Sequence, residues 1–310
     1  MKDAYILMLM DCNFDCLFCS VPKKEIYLSK KEIFAKIDKY AEENYNQVTL
    51  TGGEPTLHPD LTDVIKYIKT KKMNCRITTN GSNLDKKLID DMIDAGIDYI
   101  AVSIHTFDEK LAKKISDYED YNIKNVFSSI NYILNRMEKS LYINITITKL
   151  NYKKLPEMCE IIANKFEGLN LINFNYVDII GNVNEKNKVE EVGIQYYISE
   201  LYLRKSFNIL KRNNINFRVE RVPMCYLVGF EEYSSDFNRL SKAEDPTTDF
   251  VDKEISKPTN LDFEKARQCE FCKYSNFCMG INKNYSKTYG TKELYPIFHN
   301  FPKEKIMNNK

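Results

Sequence analysis

With 310 residues, 43% of them apolar and 29% charged, the chain is long enough to bury a full core and ordinary enough in composition to exclude disorder along its length. Lys and Arg (45) nearly cancel Asp and Glu (44), so no global field draws it onto nucleic acid or an anionic membrane. No stretch approaches 18 apolar residues, and the short apolar run in MKDAYILMLMDC lacks the organisation of a signal peptide, so a cytoplasmic protein without a membrane partner is expected.

In chain order, short apolar runs rich in β-branched residues alternate with longer amphipathic ones. Strands are expected at 5–10, 47–51, 75–79, 98–104, 141–148 and 170–177, and helices near 29–44, 59–71, 84–95, 122–138 and 152–166. This rhythm of βα units points to a parallel sheet, and six units suit an open (βα)6 partial barrel rather than a closed eight-stranded one. In such barrels the reactive groups stand at the C-terminal ends of the strands. That rule gathers 12–20, 51–58, 79–83, 103–108 and the stretch after 177 round one mouth. A helix over 192–213 and a strand-like INFRVERV (215–222) follow. Residues 231–264 hold ten Asp/Glu against four Lys/Arg, with two prolines, and read as a solvated loop or lid. The expected division is 1–185 for the barrel core, 186–222 for a bridging helix and strand, and 223–310 for a small cysteine-bearing subdomain.

Nine cysteines, an odd number, stand at 12, 16, 19, 75, 159, 225, 269, 272 and 278. In a reducing compartment clustered thiols bind metal or do redox chemistry more often than they form disulfides. Cys12, Cys16 and Cys19 form C-x3-C-x2-C directly after the first strand. Three thiolates can hold a four-iron cubane and leave one iron open to a small chelating molecule. The alternative is zinc, but a structural zinc takes four ligands, and neither a histidine nor a fourth cysteine is near in sequence. Cys75 in a strand and Cys159 on a helix read as small core residues. His58 and His299 have no evident partner and read as surface or structural.

These cysteines, with Phe18 in the aromatic slot of C-x3-C-x-aromatic-C, and Thr51-Gly52-Gly53-Glu54-Pro55 at the end of the second strand, resemble the two signature motifs of the radical SAM superfamily, in the expected order. The resemblance covers about the first 180 residues. It implies a [4Fe-4S] cluster on Cys12, Cys16 and Cys19 whose open iron is chelated by the amino and carboxylate groups of S-adenosylmethionine. An electron from the cluster then cleaves the bond from sulfur to the ribose methylene and gives a 5′-deoxyadenosyl radical. Such a radical takes hydrogen from unactivated carbon, which acid-base groups cannot do, and the protein supplies binding and orientation. Gly52 and Gly53 are expected to let the backbone approach the methionine amino group, and Glu54 to be its partner. Phe18 resembles the residue whose backbone faces adenine. Asn80, Ser103, His105, Asn144, Thr146 and Asn151 lie at strand ends where family members contact the carboxylate or ribose, and strand-end capping is the competing reading of each. A reducing partner such as flavodoxin or ferredoxin is implied as well.

Cys269, Cys272 and Cys278 form C-x2-C-x5-C, with Cys225 upstream. The spacing resembles part of the C-terminal pattern of SPASM and twitch proteins, except that Asn282 stands where the fuller motif has another cysteine. Four candidate ligands imply one auxiliary [4Fe-4S] cluster in a twitch-like subdomain. An all-thiolate zinc site has the same ligands. Auxiliary-cluster relatives mostly modify peptides or oxidise small molecules. With the first cluster cysteine at residue 12, a winged-helix leader-peptide module is not expected ahead of it, which lowers the peptide expectation without removing it. A ribosomally made peptide crosslinked through a thioether or carbon-carbon bond is the first expectation, and oxidation or rearrangement of a small molecule (alcohol, sugar, nucleoside) is the second. A non-catalytic iron-sulfur or zinc protein is the third, against which Gly52-Gly53-Glu54-Pro55 speaks, because an electron carrier needs no S-adenosylmethionine site. Balanced charge gives nucleic acid no support as a partner.

Overall fold

The computed structural model describes residues 2–21, 23–237 and 263–302. Seven strands form one all-parallel sheet in chain order: β1 Asp3–Leu9, β2 Gln47–Gly52, β3 Asn74–Thr79, β4 Tyr99–Ser103, β5 Leu141–Ile147, β6 Leu171–Tyr176 and β7 Phe217–Glu220. Between them run α1 Lys30–Glu42, α2 Leu61–Thr70, α3 Lys86–Asp94, α4 Glu109–Ser116, α5 Ile123–Arg136, α6 Leu155–Lys165, two single turns α7 Asn182–Glu185 and α8 Val189–Val192, and α9 Tyr196–Arg212. The architecture is α/β, and the sequential parallel order is that of an open partial barrel.

Alternation along the strands decides which face is which. In β5 every second residue, Leu141, Ile143, Ile145 and Ile147, is fully buried, while Tyr142, Asn144 and Thr146 are only half-buried. The apolar set packs under the helices, as Phe174 and Phe217 do on Phe207 of α9, with ring centroids 5.5 and 5.0 Å away. The polar set faces the barrel interior. At the N-terminal end of that interior Arg76 donates to Asp3 (2.7 Å), to the Tyr5 hydroxyl (2.9 Å) and to Thr49 (3.1 Å). Burial pushes the Asp3 carboxyl up, against the pull of Arg76. This polar plug closes the far end and leaves the C-terminal mouth as the accessible one.

Three differences from the sequence expectation have physical causes. Helix α4 escaped notice because it is short, yet Asp108 caps it by accepting from the Leu111 N–H (2.9 Å), and Asp117 ends it in the left-handed region at φ 49°. The strand expected at 215–222 joins the barrel sheet itself, with Asn173 opposite Arg218. Finally, the acidic stretch 231–264 is not all solvated. Glu231, Ser234, Asp236 and Phe237 are buried. Glu231 enters the interior because it accepts from the Tyr274 hydroxyl (2.8 Å) and the Gly229 N–H (3.0 Å). Ser234 bridges in parallel to Val219, extending the pairing past β7. Positions 238–262 of that expected lid lie outside the described residues. Cys75 and Cys159 are fully buried core residues.

Candidate functional site

The cysteine loop after β1 is held from two sides. The last carbonyls of α4, which a helix leaves without partners, take its N–H groups: Asp15 donates to Ser116 (2.9 Å) and Leu17 to Ile115 (3.0 Å). From the other side, the Asn182 amide donates to Asp15 (2.9 Å) and to the Cys16 carbonyl (2.8 Å), while its backbone N–H donates to the Cys19 carbonyl (2.9 Å). Gly181, at φ 55°, allows this approach, since a Cβ there would stand 2.3 Å from the Cys19 oxygen. The sequence reading missed Asn182, although a Gly-Asn pair just past a strand end is a signal for such a clasp.

The loop presents three thiols to a cavity of about 260 Å³ at the C-terminal ends of the strands. Cys12, Cys16 and Cys19 line it with Phe18, Thr51, Gly52, Gly53, Asn80, Ser103, His105, Asn144 and Thr146. Thr79, from the 79–83 stretch expected at the mouth, lines it too, and so do Tyr121 and Asn175, which were not singled out, although alternation in NFNYV points Asn175 the same way as Asn173. Burial pushes the Cys12 thiol up to about 11, raises Cys16 well above the usual range with help from its two neighbours, and raises Cys19. Thiols so placed stay protonated on their own and need a cationic centre to ionise. The Phe14 N–H points at the Cys12 sulfur (3.3 Å), as a donor should toward a cluster thiolate. Three soft ligands of one kind beside a cavity of this size fit an iron-sulfur cluster with an open iron.

Gly52 and Gly53 are on the cavity wall, but what demands them lies behind it. A Cβ on Gly52, whose φ is 140°, would be 2.1 Å from the Leu9 oxygen, and one on Gly53 would be 1.9 Å from the Asp11 oxygen. Their lack of side chains lets the end of β2 press on the start of the cysteine loop, with Gly53 donating to Leu9 (2.8 Å) and Glu54 to Asp11 (2.9 Å) through their N–H groups. Glu54 is fully buried and is not on the cavity wall. Its carboxylate accepts from the Thr56 N–H (3.0 Å), the Thr56 and Thr79 hydroxyls (2.6 Å each) and the Asn80 N–H (2.7 Å), tying the ends of β2 and β3 together. Burial raises its pKa while these bonds pull it down.

His105 is desolvated and its pKa falls to about 3. The Thr146 N–H donates to its Nδ1 (3.0 Å), and the Phe18 ring meets it edge-on at 4.6 Å, so the imidazole is neutral and fixed. Asn151 lies off the cavity; its amide ties the His105 and Thr146 carbonyls (2.8 Å each). His58 is buried, bonding the Leu28 carbonyl (2.9 Å), and exposed His299 contacts the Tyr274 hydroxyl (2.9 Å).

The other cysteines meet in a second cavity, of about 20 Å³, walled by Cys225, Cys269, Cys272 and Cys278 with Tyr274 and Tyr295. A two-stranded antiparallel ribbon, Phe263–Glu264 with Ile281–Asn282, encloses the last three. The Ile297 N–H points at the Cys272 sulfur and the Gly280 N–H at the Cys278 sulfur, both at 3.3 Å. Burial pushes Cys225 up to about 12 and raises Cys269 and Cys278. Asn282 caps the helix Lys283–Tyr289, accepting from the Asn284 N–H (2.8 Å). Among the described residues no three His, Cys, Asp or Glu are gathered closely enough to hold a single metal ion, and no helix is long and apolar enough to cross a membrane.

Comparison with known proteins bears on both the fold and the motifs. The chain is 33% identical over 172 residues to a GTP 3′,8-cyclase of Campylobacter jejuni, covering 53% of this chain and 52% of that one. It is 33% identical over 165 residues to the uncharacterized protein MJ0103 of Methanocaldococcus jannaschii, covering 48% and 38%. The chain thus spans about half or less of the length of these curated relatives. Among solved structures, Streptococcus suis SuiB bound to precursor peptide SuiA shares the fold with a TM-score of 0.58 at 17% identity, over 70% of this chain and 48% of that one. Methylornithine synthase (PylB) does so at 0.52 and 12%, over 71% and 64%. The sequence profile of the Radical SAM superfamily matches residues 6–162, the stretch that carries both the cysteine loop and Gly52-Gly53-Glu54-Pro55, and the chain belongs to that superfamily.

Proposed function

We propose that the protein is a two-cluster radical SAM enzyme that removes hydrogen from a substrate seated over the mouth of the barrel, a ribosomally made peptide being the first reading. The observation that carries it is the contrast in ligand number at the two cavities, three thiols on the roomy one and four on the small one. Cys12, Cys16 and Cys19 would hold the cluster that binds S-adenosylmethionine, and Cys225, Cys269, Cys272 and Cys278 an auxiliary [4Fe-4S] cluster with every iron ligated. When bound, the first cluster with its cofactor supplies a 5′-deoxyadenosyl radical. What the chain itself does is hold and orient. Asn80, Ser103, Asn144 and Thr146 would offer hydroxyls and amides to the polar parts of the cofactor, and Phe18 and neutral His105, packed edge to face, add an uncharged aromatic part of the wall. Glu54 keeps the ends of two strands in place behind them.

Support for a peptide comes from the likeness to SuiB, whose solved structure holds its precursor peptide, over 70% of the chain. A small-molecule reading, a nucleotide above all, is favoured by the 33% identity to a GTP 3′,8-cyclase over the barrel. Anaerobically reconstituted protein with dithionite should form 5′-deoxyadenosine from S-adenosylmethionine. Adding GTP, or any short peptide found to be encoded beside the gene, should raise that yield and change the mass of the true substrate. A rise with GTP alone sinks the peptide reading. No 5′-deoxyadenosine under any condition sinks the reading as a whole.

A further inference from the structure

Side chains on the wall of the larger cavity are thiols, hydroxyls, amides and apolar or aromatic groups, and its histidine is held neutral. A charged group on the substrate must be met farther along the barrel wall, and strand register says where. Ser103 and Asn144, both on the cavity, share a row with Asn173 and Arg218. Thr146 and Asn175, also on the cavity, share the next row with Glu220. Phe217 and Val219 of β7 are buried on the outer face, so the alternating Arg218 and Glu220 belong to the interior face. The influence of the Arg218 charge on Tyr142, an interior residue of β5, agrees with that direction. Arg218 is exposed and has neither a hydrogen bond nor an ion pair with another described residue, whereas interior Arg76 is spent on Asp3, Tyr5 and Thr49.

We infer that Arg218 anchors an anionic group of the substrate, a carboxylate or a phosphate, beside the radical site. Neighbouring strands are about 4.8 Å apart, and an extended arginine spans more than that, so its guanidinium fork can reach the Asn173 position of the row, facing toward Asn144. A bidentate fork on a carboxylate or phosphate is the strongest anion contact a single side chain makes. The inference rests on the larger cavity being the site of hydrogen abstraction and names what its substrate must carry.

The test uses the full chain, reconstituted and loaded with S-adenosylmethionine, titrated anaerobically by calorimetry with GTP and, separately, with an end-blocked peptide containing one glutamate. One of the two should bind, identifying phosphate or carboxylate. Arg218→Gln should weaken it at least tenfold, and Arg218→Lys, which keeps the charge but loses the fork, should fall between. Unstimulated 5′-deoxyadenosine formation and iron content should be unchanged in both variants, because Arg218 is exposed and walls neither cysteine cavity. If neither probe binds, or if Arg218→Gln binds as wild type does, the inference is overturned. Absence of 5′-deoxyadenosine from wild type would instead strike the underlying reading, independently of the titrations.

Discussion

The two cysteine cavities are built from the same chemistry to opposite ends. Both bury their thiols wholly or in part, both aim backbone N–H groups at sulfur, and both need glycines where one chain segment presses on another. They differ in ligand number and in space. The first has three thiols on one loop and about 260 Å³ walled by the ends of several strands; the second has four thiols from two distant segments and about 20 Å³ under aromatic rings. Three ligands and room make a site that can take in a small molecule. Four thiols without such room suit the fully ligated cluster proposed above rather than the entry of a small molecule.

The sharpest way to break this comparison is to remove each thiol set in turn. Changing Cys12, Cys16 and Cys19 together to Ala should remove about four irons and all reductive cleavage of S-adenosylmethionine, read by iron assay and chromatography of 5′-deoxyadenosine. Survival of that product would end the assignment. Cys269→Ala with Cys272→Ala should also remove about four irons, yet leave uncoupled cleavage of S-adenosylmethionine in place. About one zinc per wild-type chain, alongside a single cubane by Mössbauer spectroscopy, would reverse the assignment of the second cavity.

The glycines sharpen it further. Gly53→Ala forces a Cβ to 1.9 Å from the Asp11 oxygen, and Gly280→Ala, at φ 94°, forces one to 2.1 Å from the Glu264 oxygen. Each should cost about 3 kcal/mol in urea unfolding. The first should lower iron at the cofactor site alone and the second at the four-thiol site alone; equal loss at both sites from either change would mean that they fold as one unit.

The smallest effect is one of acid. The His105 imidazole takes up a proton near 6.5 when unfolded but only at about 3 when folded. Between those values the unfolded state binds more protons, so stability is complete above pH 6.5 and falls as pH drops through the window, by about 2 kcal/mol at pH 5. His105→Asn, which keeps an acceptor for the Thr146 N–H, should flatten that part of the curve. No histidine walls the second cavity, so its iron content should not follow the same profile. An unaltered acid slope in His105→Asn would show that other groups set it.

Much of this architecture was legible before any tertiary contact was known. The strands from β1 to β6 follow from short apolar runs rich in β-branched residues, and Cys12, Cys16 and Cys19 with Gly52 and Gly53 are recognisable because their chemistry is written in adjacent residues. Helix α4 was not, because at eight residues it is too short to stand out from a loop, although its apolar residues keep to one face. The buried start of the acidic segment was not, because Glu231 is hidden by a bond to Tyr274, 43 residues away.

Sequence by itself determined the periodicities, the donor types and their local spacing, since these depend on neighbours within a few positions along the chain. Only the tertiary structure decided which distant groups meet: Cys225 with the three tail cysteines, Asn182 with the cysteine loop, Glu54 with Thr79 and Asn80, and Arg218 in the same row as Ser103. The reason is physical. A hydrogen bond or a strand register across a barrel is set by the summed packing of every intervening helix, and no local pattern encodes that sum.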